Sequence, residues 1–465
     1  MGSRSSVRHA AKKTRFDGDG MFDWLKRLGG VRAVTPTGAP KPSVQAATAA
    51  SKPNGRAAPP EPAAPAPGAP QAQPGLRRAL LGRNGHVAGF ELLLPEAVSG
   101  RLRVKPEVGA AVAHHLALLA SASLQVTALR PVLITLPADV QREAVLAAVP
   151  AHAWVWPGPG TAVPDDRLLA LRERGVRVGA ADGPPLRSPA LDFLVLQAAA
   201  GGVDTLLLSA QRWREQQPKL ALVALDLPNL DEMERVLRAG FVLVGGQFGR
   251  SARQLPARPL GTAAHRVCEL MNHLALDHDT AVIGQAVAAD VSLTYRLLRY
   301  ANSPAIGLNR GVETVDQAVM VLGRAELCRW LSVMLLSAAE SRQAGRALQE
   351  AALARGRLLE RVAAQLAVPD PGAFFTMGLL SLIEQLLQLP MAAALAPLRL
   401  SEPVLDALLR RQGPWAPMLD LLDALDGADT LHIEQACQAL GLQGPLAQWQ
   451  EEAWRWAGEV SAGAA

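Results

Sequence analysis

The sequence predicts an α/β unit followed by an all-α unit, both behind a disordered N-terminal tail, and three observations carry that prediction. Short β-like runs alternate with helical stretches from residue 75 to about residue 252. From Pro256 to about Trp456 the β signal is gone and everything reads as helix. Ahead of both, Pro36 to Pro74 hold eleven prolines in 39 residues, mixed with Ala, Gly, Ser and Gln. A length of 465 residues suits two folded domains plus a tail, at roughly 100 to 200 residues per domain. Aromatic residues make up only 4% of the chain, so packing must come from Leu, Ala and Val, which favours helices over an all-β sandwich. The expected boundaries are 1–74 for the tail, 75–252 for the α/β unit and 253–456 for the helical unit.

The tail is basic and the rest of the chain is not. The formal net charge is +5, but residues 1–74 carry eleven Lys/Arg against four Asp/Glu, which leaves a slightly acidic remainder. A nucleic-acid or membrane partner attracted by the high isoelectric point would therefore meet the tail and not a groove on a domain, so nucleic acid is not expected as the main partner. The proline-rich stretch cannot bury enough surface to offset chain ordering and reads as a semi-extended linker. Ahead of it, Phe22, Trp24, Leu25 and Leu28 alternate with Lys26 and Arg27, a short amphipathic pattern that binds membranes only marginally. Met21 stands beside Met1 as a candidate start. No apolar run reaches the 18 or so residues that span a bilayer, and no secretory h-region precedes a cleavage site, so a cytoplasmic chain is expected. Cys268, Cys328 and Cys437 are widely spaced and unpaired, which supports neither a disulfide framework nor a zinc site.

In the α/β unit, strands are predicted at Val132–Leu136, Ala153–Trp156, Val176–Val178, Phe193–Leu196, Thr205–Leu208 and Leu220–Leu225. Helices are predicted at Asp165–Arg174 and Asp231–Ala239, each opening on acidic residues and closing at a glycine, Gly175 or Gly240. Such alternation predicts a parallel sheet or barrel. At 178 residues, the unit is shorter than the roughly 200 to 250 of a complete (β/α)8 barrel, so a shortened barrel is expected. Trp154 and Trp156 are expected to fill a layer between barrel and helices.

The helical unit contains the best-punctuated stretch of the chain, Asp290 to Leu331. Val291, Leu293, Leu297, Leu298 and Ala301 form the apolar side of a helix that Ser303-Pro304 stops, because proline cannot continue the hydrogen-bond ladder. Gly307 frees the following turn. Thr314 with Gln317 forms a capping box before Val315, Val319 and Leu322, and Gly323 closes that helix. A third helix follows at once. Asp279 or Thr280 is the natural N-cap of a helix at Val282–Ala289, so the His278-Asp279 pair is a cap and not a metal site.

The run LLRYANSPAIGL followed by VDQAVMVLG resembles the signature of the HDOD domain, an all-helical relative of the HD phosphohydrolases that has lost their metal ligands. Its matching residues here are Leu297, Asn302, Ser303, Pro304, Gly307, Leu322 and Gly323. The resemblance puts the metal-binding His-Asp pair of the active relatives on Ser381-Leu382, which are expected to pack as ordinary helix residues without a water-filled acidic cavity beside them. The earlier segments GRNGHVAGFELLL, PVLITLPADV, GVRVGAADG, LDFLVLQ and NLDEMERVLRAGFVLVGGQF resemble an EAL domain, the cyclic di-GMP phosphodiesterase fold. Active members hold two divalent ions with acidic and amide side chains at strand ends. On this chain the resemblance leaves Glu91 and Asp182 as remnants, while the other positions fall on Ala181, Val195, Gln197, near Leu225 and Pro228, and on Gly245. Arg101, Arg103 and Arg250 are the candidate phosphate partners, without a motif behind them. The resemblance therefore implies a shortened EAL-like barrel followed by an all-helical HDOD domain, with no catalytic residue, no metal and no cofactor. It implies a cyclic di-GMP-linked signal-transduction protein whose partners are other signalling proteins, with a cyclic dinucleotide held without hydrolysis. The alternatives are residual metal-dependent phosphodiesterase activity and tethering by the tail.

Overall fold

The computed structural model describes residues 76–93, 130–136, 149–158, 164–183, 191–198, 202–250, 255, 259–276, 278–303, 306, 311–337, 342–368 and 371–464. The tail, Pro304, Gly307, Arg101 and Arg103 lie outside the described residues. Eight strands close into a barrel: β1 (Leu76–Gly82), β2 (Val87–Leu93), β3 (Val132–Leu136), β4 (Trp154–Pro157), β5 (Arg177–Ala181), β6 (Phe193–Gln197), β7 (Ala221–Leu227) and β8 (Leu243–Gly246). The pairs from β2 to β8 are parallel, as the alternation predicts. The exception is β1, which runs antiparallel to both β2 and β8. A two-way alternation pattern does not report strand direction, and the four-residue connection of residues 83–86 between β1 and β2 permits only a hairpin.

Among the described residues three helices accompany the barrel: α1 (Asp165–Glu173), α2 (Gly202–Gln216) and α3 (Leu230–Arg238). The predicted strand at Thr205–Leu208 is part of α2. An apolar run of four fits either period; here Val203, Leu206, Ala210 and Trp213 are buried at helical spacing, and Leu208 points to solvent. Asn229 caps α3 by accepting from the Glu232 amide at 3.0 Å. The barrel lumen is packed by Leu80, Leu133, Trp156, Phe193, Val195, Val223, Leu225 and Leu243. Trp154 and Trp156 thus belong to the inside of the barrel and not to the layer outside it. Trp154 stacks against Phe193 with ring centroids 4.9 Å apart and carries Arg177 on its face.

The helical part comprises α4 (Thr262–Ala275), α5 (Thr280–Ala288), α6 (Val291–Ala301), α7 (Val315–Ser337), α8 (Gly345–Gln365) and α9 (Pro371–Leu380). It continues with α10 (Ile383–Leu387), α11 (Met391–Leu395), α12 (Glu402–Arg410), α13 (Ala416–Gly427), α14 (Thr430–Leu440) and α15 (Leu446–Ala464). Asp279 caps α5 and Asp290 caps α6. The capping box forms, with the Gln317 amide donating to Thr314 and the Glu313 amide donating to the Gln317 side chain. Gly323, at φ 68° and ψ 174°, breaks α7 into the two helices the sequence predicts. Leu293, Leu297 and Ala301 are buried on α6, but Val291 is 84% exposed, because the first residue after the Asp290 cap faces solvent.

The two parts share one continuous core. Strand alternation sends the neighbours Arg77 and Arg78 to opposite sides of β1. Arg77 points outward, pairing with Glu451 at 2.7 Å, while its backbone N–H and C=O are both taken by the Gln450 side chain of α15. Trp454 of the same helix meets Phe90 of β2 edge-on at 5.3 Å. On another side, Arg342 ties Asp231 and Glu234 of α3 to the start of α8 at 2.6 and 2.8 Å. No described helix is long and apolar enough to cross a membrane.

Candidate functional site at the barrel mouth

Arg78 is buried in β1 directly opposite Glu91 of β2. Its Nε donates to Glu91 Oε2 at 2.7 Å, and its Nη1 donates to Asp226 Oδ1 at 2.7 Å. Asp226 stands near the end of β7 with φ 61°, a left-handed backbone that non-glycine residues adopt at a cost of about 1–3 kcal/mol. The β7–β8 register shifts between Ala224 and Leu227 at the same place. The irregularity accompanies the turning of the Asp226 carboxylate onto Arg78, and Gln197 at the end of β6 holds its second oxygen at 2.8 Å. Burial opposes the Arg78 charge, but Glu91 and Asp226 outweigh it and hold the guanidinium above its ordinary value. Burial also pushes the Glu91 carboxyl up, against the pull of Arg78.

The site opens on a pocket of about 420 Å³ whose far wall belongs to the helical part. Gly427 at the end of α13, Asp429 and Thr430 line it together with Arg78, Asp226 and Gln247. Glu91 and Asp182 are not brought together on a common partner. Asp182 accepts instead from Trp213 Nε1 at 2.8 Å and Arg212 at 3.4 Å, both on α2. Arg250 is exposed, and its carbonyl accepts the Leu230 amide. Two hard cations would each need about six oxygen ligands. Of the mapped positions, Ala181, Val195, Leu225 and Gly245 bring no side-chain oxygen, and the carboxylates of Glu91 and Asp226 are bound to a guanidinium. These residues do not fit a two-metal centre.

A second buried arginine, Arg355, contacts Ser381 of the Ser381-Leu382 pair. Ser381 and Leu382 are buried, but they occupy the turn between α9 and α10 and not a helix interior, because Gly378-Leu379-Leu380 ends α9 there. Arg355 of α8 donates to Ser381 Oγ at 2.9 Å, and the Ser381 hydroxyl donates in turn to the Gly378 carbonyl at 2.5 Å. The other end of the same guanidinium binds Asp423 at 3.0 Å and Asp426 at 2.5 Å, both on α13. Acidic residues therefore do lie near Ser381, and an arginine fills the space between them. Burial opposes the Arg355 charge, but Asp426 and Asp423 outweigh it and raise its pKa; burial likewise pushes the Asp426 carboxyl up.

The signature turn has a structural role for its asparagine. The Asn302 side chain donates to the carbonyls of Leu298 and Val312, both at 2.8 Å, and accepts the Val312 amide at 2.7 Å. It closes the loop between α6 and α7 like a short strand pair. Leu297 is buried, Leu322 is half-buried, and Ser303 Oγ has no partner among the described residues.

Arg78, Asp226 and Arg355 were not candidates from sequence. The readable signal for the arginines is a charge inside an otherwise apolar element, in LRRALLG and in ALQEAALARGRLL. For Asp226 there was none, since a left-handed residue inside a strand breaks the two-residue period used to place side chains.

Residues 259–399 match the HDOD domain family model. Among curated proteins, the chain is 26% identical over 215 residues to "Uncharacterized protein YuxH" of Bacillus subtilis, covering 46% of this chain and 52% of YuxH. It is 24% identical over 276 residues to "Cyclic di-GMP phosphodiesterase CdgJ" of Vibrio cholerae, covering 59% of this chain and 64% of CdgJ. The chain thus spans between half and two thirds of the length of these relatives. Among solved structures it aligns with the EAL domain protein of Listeria monocytogenes EGD-e at 13% identity and a TM-score of 0.30, over 38% of this chain and 86% of that one.

Proposed function

We propose that this chain, with an HDOD domain at residues 259–399 behind an EAL-like barrel, works by recognition and not by hydrolysis, as a signal-transduction protein linked to cyclic di-GMP. The observation that carries the reading is the Arg78 guanidinium held between Glu91 and Asp226. A permanent cation at the strand ends satisfies the carboxylates that metal-assisted attack on a phosphodiester would need free. The same substitution of arginine for metal chemistry at Arg355 supports the helical part as a scaffold for binding other signalling proteins. The mouth pocket is the place where a cyclic dinucleotide would be held intact. The test is a hydrolysis assay of the full chain with cyclic di-GMP and Mg²⁺ or Mn²⁺. Turnover no greater than that of Glu91→Ala supports the reading; turnover that Glu91→Ala abolishes overturns it.

One observation favours the second reading, residual phosphodiesterase activity: the relative CdgJ carries that activity in its name. Under that reading Arg78 would have to release Glu91 and Asp226 to a metal, so Arg78→Ala would raise Mn²⁺-dependent turnover. Under the recognition reading Arg78→Ala creates no activity, because the remaining mapped positions still lack oxygen ligands.

A further inference from the structure

The two arginine centres are joined by one helix. Asp423 and Asp426 of α13 lie on Arg355, and the next residue, Gly427, ends the helix at the barrel mouth with its carbonyl 3.5 Å from Arg78 Nη1. The chain leaving β8 is trapped between the same groups. Gln385 Nε2 donates to the Gly249 carbonyl at 2.9 Å. A Cβ added at Gly249 would stand 3.0 Å from both Arg355 Nη2 and Asp423 Oδ1, and one added at Gly427 would stand 3.1 Å from Gln247 Nε2. At both glycines the backbone meets a side-chain end so closely that a methyl group would force that side chain to shift by a few tenths of an ångström. Arg411, in the left-handed cap of α12, pairs with the second oxygen of Asp423 at 2.8 Å.

We infer that the turn from Gly427 to Thr430 is a lid over the barrel mouth and that Arg355 is its latch. The lid walls the pocket that Arg78 and Asp226 line. Its charged anchors on the α13 side among the described residues are the Asp423–Asp426 grip on Arg355 and the half-exposed Arg411–Asp423 pair, and only the first is buried. Lifting the lid pulls these carboxylates off a buried guanidinium, so the width of the mouth is set from inside the helical part. A ligand that needs more than the present volume of the pocket binds only at the expense of the Arg355 cluster. By thermodynamic reciprocity, anything that loosens that cluster opens the mouth by the same factor. The coupling does not depend on which ligand the mouth takes or on whether the chain hydrolyses anything.

The test is amide hydrogen exchange on the ligand-free full chain, comparing the native sequence with Asp423→Asn and Arg355→Lys. Both keep the volume of the cluster and weaken the grip; Asp423→Asn leaves Asp426 on Arg355, so it serves should the arginine variant not fold. The expected result is exchange about tenfold faster, the factor that corresponds to a tenfold change in the opening equilibrium, at Ala428–Thr430 and at the mouth ends of β7 and β8. Exchange at β4 and β5 stays unchanged. In the reverse direction, Arg78→Met speeds exchange along Asp423–Asp426. Faster exchange confined to α13 and the Ser381 turn, with the mouth unaffected, overturns the inference, as does uniform acceleration across the barrel. Neither result bears on the hydrolysis assay, which reads a different property.

Discussion

Arg78 and Arg355 stand at the two ends of one arrangement, and they differ in access. Each is a buried guanidinium holding a pair of carboxylates. Arg78 looks onto an open pocket, and its partner Asp226 is 40% exposed. Arg355 is closed in, with Asp426 only 12% exposed, and its third partner, Ser381, is itself buried. A buried ion pair contributes little net stability when intact, yet breaking one is costly because the remaining charge has no water to return to. The difference therefore teaches that the helical centre is a structural clasp. The barrel centre has kept a surface that a ligand can reach.

The largest expected effect separates the two directly. Arg355→Met leaves Asp423 to Arg411 and strips the buried Asp426 of its guanidinium, and should cost about 3–5 kcal/mol of stability. Arg78→Met should cost less, about 1–3 kcal/mol, because Asp226 can turn to solvent and Glu91 can take up a proton. Urea midpoints of the two variants at one pH measure the difference. Equal losses, or a larger loss at Arg78, would break the comparison.

A smaller effect belongs to the signature turn. Asn302→Ala removes three hydrogen bonds, two of which close the loop between α6 and α7, leaving the Val312 N–H and C=O to find other partners. A loss of about 1–3 kcal/mol is expected, with unchanged ligand binding at the mouth. Asn302→Asp, which keeps the acceptor for the Val312 amide but not the donors, should fall between. A variant that loses a protein partner in a pull-down while keeping its urea midpoint would instead make this turn an interaction surface.

The smallest effect lies away from both arginines. Burial pushes the Cys268 thiol up to about 12. The folded chain keeps this proton over a range in which the unfolded chain has already lost it. Its contribution to stability is complete below the ordinary thiol value and declines as pH rises from there towards 12. The urea midpoint of Cys268→Ala should therefore fall less steeply between pH 9 and 10.5 than that of the native chain. Parallel slopes would show that the thiol does not carry this dependence.

Much of the fold was legible in the sequence, because the signals were local. Thr314, Gln317 and Gly323 announce a cap, a box and a break that depend only on their neighbours, and the structure has all three. Thr205–Leu208 failed for the opposite reason: four apolar residues fit a strand or a helix, and only the burial of Ala210 and Trp213 against the barrel decides between them. The candidate site was less legible still. Glu91 was visible as a residue, but its partner Arg78 sits on a strand whose antiparallel pairing the alternation pattern does not encode. Asp226 depends on one left-handed residue and a shifted register. Asp423 and Asp426 are ordinary acidic residues on a helix until tertiary packing sets them on Arg355.

At the barrel mouth the Arg78 guanidinium occupies the carboxylates of Glu91 and Asp226 that a cation would otherwise need. A Mn²⁺ titration of the full chain, followed by the electron paramagnetic resonance of the free ion, tests it most directly. No stoichiometric uptake of Mn²⁺ at micromolar concentration is expected, and the native chain, Glu91→Gln and Asp226→Asn should give the same titration curve. Tight uptake by the native chain that both variants abolish would contradict it.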